Sequence, residues 1–167
     1  MNVLAPGGTP PRVRVVAFTL LAGLLVDVVP LPEWALPYRP DALLLVLIYW
    51  CMAAPARVGV GIAWLLGLVV DVLQGALLGQ NALAFATVGF LVVAFHLRLR
   101  MYPLWQQALV VAALVLLDHA LVSWVRALSG RAVDWRYFLS APAAALLWPW
   151  LFIVLRDLRR RGLRAGR

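Results

Sequence analysis

The chain has 167 residues, of which 65% are hydrophobic and 13% are charged, and its mean hydropathy is +0.92. A soluble domain carries about 25% charged residues, so this chain has too few to cover a surface that faces water. Its formal net charge is +8, but the basic residues are all arginines that flank apolar runs. This placement is typical of membrane topology and not of a nucleic-acid-binding patch. We therefore predict an all-α, polytopic membrane protein of one domain that binds no nucleic acid.

Six apolar stretches follow one another along the chain, and each is a predicted membrane span. A spanning helix needs about 20 mostly apolar residues. The 40 residues between Arg57 and Arg98 carry a single formal charge, at Asp71. As one helix they would be about 60 Å long, roughly twice the thickness of the hydrocarbon core, so they must cross twice. The predicted spans, in chain order, are 13–30, 41–54, 57–75, 80–97, 102–125 and 137–156.

Two tails flank this six-helix domain. Residues 1–12 are rich in glycine and proline and are predicted to be disordered, whereas residues 157–167 are strongly basic. With six spans, eleven arginines lie on the side of the two termini and four lie on the other side. Short cytoplasmic segments carry an excess of arginine, so both termini are predicted to be cytoplasmic. No small-residue cleavage pattern follows the first span, and we expect that span to be retained.

Small residues recur every four positions in the third predicted span, and the row includes a carboxylate. On a helix this spacing places them on one narrow stripe, which lets helix backbones approach closely in lipid. The stripe can be a packing seam, or it can lead to a polar pocket or partner site at the turn that follows. The stripe is Gly59, Ala63, Gly67, Asp71 and Gly75, and the turn adds Gln74, Gly79 and Gln80.

Three aspartates, Asp27, Asp71 and Asp118, fall within or at the ends of predicted spans. A charge inside a membrane is costly and marks a candidate functional site. The topology places all three toward the outer face. They can be interfacial, either hydrated or paired with Arg39 or Arg126, or they can share an outward-facing polar pocket. Because the inner half then has almost no buried charge, we predict no ion path across the membrane.

Signatures of catalysis or metal binding are not found in the sequence. The single cysteine, Cys51, excludes an internal disulfide and a cysteine cluster. His119 follows Asp118, but adjacent positions on a helix do not face each other, so we do not expect them to act together. No phosphate-binding loop, dinucleotide motif or zinc-protease motif is present. We therefore predict a protein without a cofactor or bound metal that is not an enzyme.

The loop motif Arg39-Pro40-Asp41 opens a region of about 45 residues that resembles the MreD family of rod-shape-determining proteins. The size of the chain and its six-span plan also agree with that family. The first span and the chain after about residue 90 agree in hydropathy alone. The resemblance rests on the order and spacing of the segments 39–50, 55–61, 67–75 and 78–83.

The resemblance implies a place in the bacterial inner membrane, within the elongation machinery that builds the lateral cell wall. Members of this family bind the bitopic scaffold protein MreC. Through MreC they act with MreB, RodA and a class B penicillin-binding protein. The resemblance also implies a fold similar to the six-helix substrate-binding subunits of energy-coupling-factor transporters, with an outward-facing cavity.

Two functions follow as alternatives. The first is a membrane scaffold that binds the transmembrane helix of MreC, with the small-residue stripe as the docking face and Trp64 as a neighbouring anchor. The second is a transporter subunit that binds a small molecule or a lipid-linked precursor in the outer pocket. In either case the bound partners include membrane lipids.

Overall fold

The computed structural model describes residues 13–30, 32, 38–132 and 135–164, with side chains described up to residue 160. Within these residues every regular element is helical, which confirms the predicted all-α class. The predicted tail at 1–12 and most of the segment between the first two predicted spans, residues 31 and 33–37, lie outside the described residues. The helices are α1 (Val13–Val28), α2 (Ala42–Ala53), α3 (Val60–Gln74), α4 (Gln80–Met101), α5 (Leu104–Leu128) and α6 (Ser140–Arg164), with a short 3₁₀ helix at Trp135–Leu139.

Three of the described helical segments are long and apolar enough to cross a membrane. They are Gln80–Met101, Leu104–Leu128 and Trp135–Arg160, the last of which joins the 3₁₀ helix to α6. Helices α2 and α3 are apolar but have 12 and 15 residues, and α1 has 16. The chain is therefore a helical membrane protein in which three long spans accompany three shorter helices.

The helix ends differ from the predicted span ends by up to three residues at most positions, and by a turn or more at the C-terminal ends of α4 and α6. Asp41 and Gly59 lie just before α2 and α3 as N-caps, so these helices are shorter than predicted. In contrast, Arg98 and Arg100 form the last turn of α4 instead of a loop. Cations stabilise the negative end of a helix, so these arginines extend α4. Helix α6 likewise continues to Arg164 through most of the predicted basic tail.

Helix α2 lies at the centre of the bundle. Eleven of its 12 residues are buried, and it packs against α1, α4, α5 and α6. A helix that is hydrophobic on all sides is one that is buried, and α2 shows this pattern from Leu43 to Ala53. Because neighbouring helices surround α2, it does not need the length of a helix that faces lipid.

Helix α3 lies at the edge of the bundle, and α4 is its one extensive neighbour among the described helices. The seam between them consists of small residues. A Cβ atom added to Gly67 would lie 2.4 Å from the Cα of Ala82, and one added to Gly89 would lie 2.9 Å from the Cβ of Ala63. The seam is therefore internal, as the packing alternative for this stripe expects, and its close-packed residues Ala63 and Gly67 are covered by α4 instead of being free to dock a partner. Gly59 and Gly75 are outside the close contact, at the two caps of α3.

Candidate functional site

The end of α1 and the start of α2 are joined by the carboxylate of Asp27. Its two oxygens accept hydrogen bonds from the backbone N–H groups of Ala42 and Leu43, at 2.9 and 2.8 Å. The first N–H groups of a helix have no partner within the helix and carry partial positive charge. A carboxylate at this position satisfies two of them and complements the helix dipole.

The loop motif Arg39-Pro40-Asp41 also connects the two helices, since Arg39 binds the end of α1 and Asp41 caps the start of α2. The guanidinium of Arg39 donates to the carbonyl oxygens of Val26 and Val29 at the end of α1, the latter at 2.8 Å. Asp41 caps its own helix, since its Oδ1 accepts from the N–H of Leu44 at 2.9 Å. Pro40 lies between these two capping residues. We name the contacts of Asp27, Arg39 and Asp41 the α1–α2 clamp.

The predicted ion pairs of the aspartates are not present in the described part of the chain. Asp27 and Arg39 each bind the backbone of the other's helix and have no ion pair with each other within 4 Å. Arg126 lies over the ring of Tyr137 at 5.9 Å instead of meeting a carboxylate. Asp118 lies beside its neighbour His119 instead, with Oδ2 3.7 Å from Nδ1. Asp27 and Asp71 therefore accept hydrogen bonds from backbone N–H groups at helix ends instead of pairing with Arg39 or Arg126.

Asp71 repeats the role of Asp27 at the junction of α3 and α4. Its oxygens accept from the N–H groups of Gly79 and Asn81 at 2.8 Å each, and from the side-chain amide of Asn81 at 2.9 Å. Ala82 N–H lies at 3.4 Å. Gly75 and Gly79 have φ values of +59° and +99°, a left-handed conformation that favours glycine. These two glycines allow the short turn that brings the start of α4 back to Asp71, which is fully buried.

The two glutamines of this turn differ in their surroundings. Gln74 is exposed, and its Oε1 lies 3.5 Å from the side-chain amide of Asn81. Gln80 is buried, and neither polar atom of its side chain has a hydrogen-bond partner among the described residues. The polar residues predicted at the end of the stripe therefore lie together in the α3–α4 turn, around the carboxylate of Asp71.

At the junction of α5 and α6 the polar contact is made by His119. Its Nε2 lies 2.7 Å from the hydroxyl of Ser140, the first residue of α6. Its Nδ1 lies 3.7 Å from Oδ2 of Asp118, so these adjacent side chains approach each other, and the expectation that they do not act together stays a prediction. Asp118 is 2% exposed, and its Oδ1 has no hydrogen bond to a described residue.

The sharing of one outward-facing pocket by Asp27, Asp71 and Asp118 stays a prediction. Asp27 and Asp118 both lie close enough to Asp41 to interact with it electrostatically. Asp71 belongs instead to the α3–α4 turn. Among the described residues, no group of three or more His, Cys, Asp or Glu side chains is arranged to hold a metal ion.

Sequence analysis missed the polar contact at the opposite end of α2. The guanidinium of Arg100 donates from Nε to the carbonyl of Met52 at 2.8 Å, and from a terminal nitrogen to that of Ala53 at 2.7 Å. Helix α2 therefore has carboxylates at its positive end and a cation at its negative end. Arginine flanks are so common in membrane proteins that the sequence contained no signal for this specific contact.

Sequence analysis also missed Gln107, which holds the turn between α4 and α5 through hydrogen bonds. Its amide nitrogen donates to the carbonyls of Leu99 and Tyr102 at 3.0 and 3.1 Å. Its oxygen accepts from the indole N–H of Trp148 at 3.4 Å. Gln107 therefore links α4, α5 and α6 at the end of the bundle where Arg100 lies.

Two apolar grooves open on the bundle surface. The larger, of about 740 Å³, lies between α1 and α6 over the start of α2, and Arg39 and Tyr38 line one end. The smaller, of about 360 Å³, lies between α4 and α5 with Arg98 and Tyr102 among its lining residues. Of the predicted site residues, Arg39 and Pro40 line the larger groove.

The fold and these helix-end contacts define a polytopic α-helical membrane protein built from hairpins whose turns are held by buried or half-buried polar groups. A family model described as rod shape-determining protein MreD matches residues 12–158, so the chain belongs to the MreD family. The predicted family is thereby confirmed.

A curated relative agrees with this assignment. The rod shape-determining protein MreD of Haemophilus influenzae is 36% identical to this chain over 149 residues, which cover 86% of this chain and 92% of the relative. No solved structure matches the chain. The likeness to energy-coupling-factor transporter subunits therefore stays a prediction.

Proposed function

We propose that this protein is a non-enzymatic scaffold of the bacterial elongation machinery, in the inner membrane with both termini in the cytoplasm. In this role it binds the single transmembrane helix of MreC. Through MreC it acts on MreB, RodA and a class B penicillin-binding protein to control lateral peptidoglycan synthesis. Membership in a family of rod shape-determining proteins supports the role in cell shape.

The observation that carries the proposal is the free side of α3. Among the described helices, α3 packs extensively against α4 alone, and the side opposite the glycine seam is apolar and exposed. Leu65, Val69 and Val72 lie there at helical spacing. Gly61 continues the row, and a Cβ built on it meets nothing within 4 Å. We name the row of Gly61, Leu65, Val69 and Val72 the α3 outer face. A second helix can lie against it.

The energetics of association in lipid favour such a contact. Apolar helices gain no hydrophobic driving force from each other in a membrane, so they associate through close packing. Gly61 lets a neighbouring backbone approach, and Leu65, Val69 and Val72 supply side-chain contact. Trp64, which is exposed at the flank of this row, is the predicted anchor and retains that role in the proposal.

The proposal is tested by co-purification with MreC from membranes in mild detergent, using two matched variants. Leu65→Trp places a large ring on the α3 outer face, whereas Leu109→Trp places the same ring on α5. The two leucines are 56% and 61% exposed, so both substitutions are equally tolerable for the monomer. We expect Leu65→Trp to lose MreC and Leu109→Trp to retain it. Equal recovery from both variants contradicts docking on α3.

The second candidate, a binding subunit of a transporter for a small molecule or lipid precursor, is favoured by the larger groove. Its volume of about 740 Å³ falls within the range of about 300–1,000 Å³ for small-molecule sites. This function requires uptake or release of a ligand by the protein in proteoliposomes. Recovery of MreC without any such flux favours the scaffold.

A further inference from the structure

We infer that the groove between α1 and α6 binds one phosphate-bearing membrane lipid, with an acyl chain along the groove and the phosphate at Arg39. The groove exists because α1 packs mainly on α2 and makes only limited contact with α6. Its floor is the start of α2. Its walls are apolar and are formed by Val26 and Val29 on one side and by Leu147, Leu151 and Val154 on the other.

The size of the groove selects the kind of occupant. A 20-residue helix about 10 Å wide and 30 Å long fills roughly 2,400 Å³. The groove holds about 740 Å³, so it cannot enclose such a helix, and its volume is in the range of small ligands. A hydrocarbon chain supplied by the bilayer fits both the volume and the apolar walls, and it can enter from the side.

Arg39 determines which lipid is preferred. Two of its N–H groups are held by the carbonyls of Val26 and Val29, which fixes the guanidinium at the end of the groove. A guanidinium has five N–H groups, so donors remain for another acceptor. No carboxylate of a described residue forms an ion pair with it. Phosphate oxygens match the guanidinium fork, and an arginine within a membrane is stabilised by such a partner.

The measurement is native mass spectrometry of the purified full chain in detergent, titrated with phosphatidylglycerol or with a galactosyl diacylglycerol of the same acyl chains. We expect one phosphatidylglycerol per protein. The galactolipid, which lacks a phosphate, should bind at least tenfold more weakly, since a hydrogen bond to a charged group contributes about 1.5–3 kcal/mol. Equal binding of the two lipids overturns the assignment to Arg39.

Variants locate the site and separate it from the α1–α2 clamp. Leu147→Trp fills the groove, whereas Leu146→Trp adds the same ring to a neighbouring exposed position outside it. We expect the first to lose the bound lipid and the second to keep it. Arg39→Gln should lose phosphatidylglycerol binding, and Arg39→Lys should keep only part of it, because lysine keeps the charge but lacks the guanidinium fork. Identical lipid binding by the two tryptophan variants overturns the proposal, as does a polypeptide that co-purifies in place of lipid and is displaced by Leu147→Trp.

Discussion

Asp27 and Asp71 occupy equivalent places in successive helical hairpins. Each carboxylate lies near the end of the outgoing helix and accepts hydrogen bonds from the first backbone N–H groups of the returning helix. The third hairpin varies this plan, since His119 contacts Ser140 at the start of α6. A carboxylate used in this way is satisfied by the backbone, so it does not need water or an arginine within the membrane.

The fully buried Asp71 should contribute most to stability. We expect Asp71→Asn to lower the free energy of unfolding by about 2–3 kcal/mol, because charge-assisted bonds are lost and an amide N–H₂ then faces backbone donors. Asp157→Asn is the control, since Asp157 is an exposed carboxylate on α6. Unfolding of both variants in mixed micelles measures the difference. A loss for Asp71→Asn no greater than that of the control contradicts the capping role.

A charge exchange between Asp27 and Arg39 should not restore the fold. If the two formed an ion pair, the double variant Asp27→Arg/Arg39→Asp would recover the stability lost in each single variant. In this structure each residue binds a helix end, so the exchange places a cation at the positive end of α2 and an anion at the negative end of α1. We expect the double variant to be at least as unstable as either single variant in thermal melts. Recovery of the wild-type melting temperature would show an ion pair instead.

Gly67 and Gly61 lie on different sides of α3 and provide a test of the seam. A methyl group at Gly67 would collide with the backbone of Ala82, whereas one at Gly61 meets nothing within 4 Å. We expect Gly67→Ala to destabilise the monomer by about 1–3 kcal/mol or more through overpacking. Gly61→Ala should be neutral or slightly stabilising, because alanine favours a helix over glycine by about 1 kcal/mol. Equal melting temperatures for the two variants contradict an internal seam.

Arg100 should stabilise the end of α2 that lies opposite the clamp. Arg100→Gln removes two hydrogen bonds to the carbonyls of Met52 and Ala53 and a cation near the helix C-terminus, at a cost of about 1–3 kcal/mol. Arg98→Gln in the same helical turn is the comparison, since it removes the same charge without these bonds. Unfolding in detergent measures both. Equal losses for the two variants would show that charge alone matters at this end and would contradict a role for the two hydrogen bonds.

Hydropathy was sufficient to locate the six α-helices of the described residues, because each coincides with an apolar run, but three of them are shorter than a full membrane span. It did not show that α2 is central, since a uniformly apolar helix has no periodic face from which to infer its neighbours. The stripe containing Gly67 was identified, but small residues permit close approach to an internal helix and to an external one alike. The capping roles of Asp27 and Arg39 depend on contacts between separate helices, which spacing along the chain does not reveal.

Site-specific photo-crosslinking in living cells tests the central claim most directly. A photoreactive phenylalanine analogue is placed at Leu65 on the α3 outer face or at Leu109 on α5, in cells that contain MreC. We predict a crosslinked product with MreC from position 65 and none from position 109. A product from position 109 with none from position 65 would contradict the proposed docking of MreC on α3.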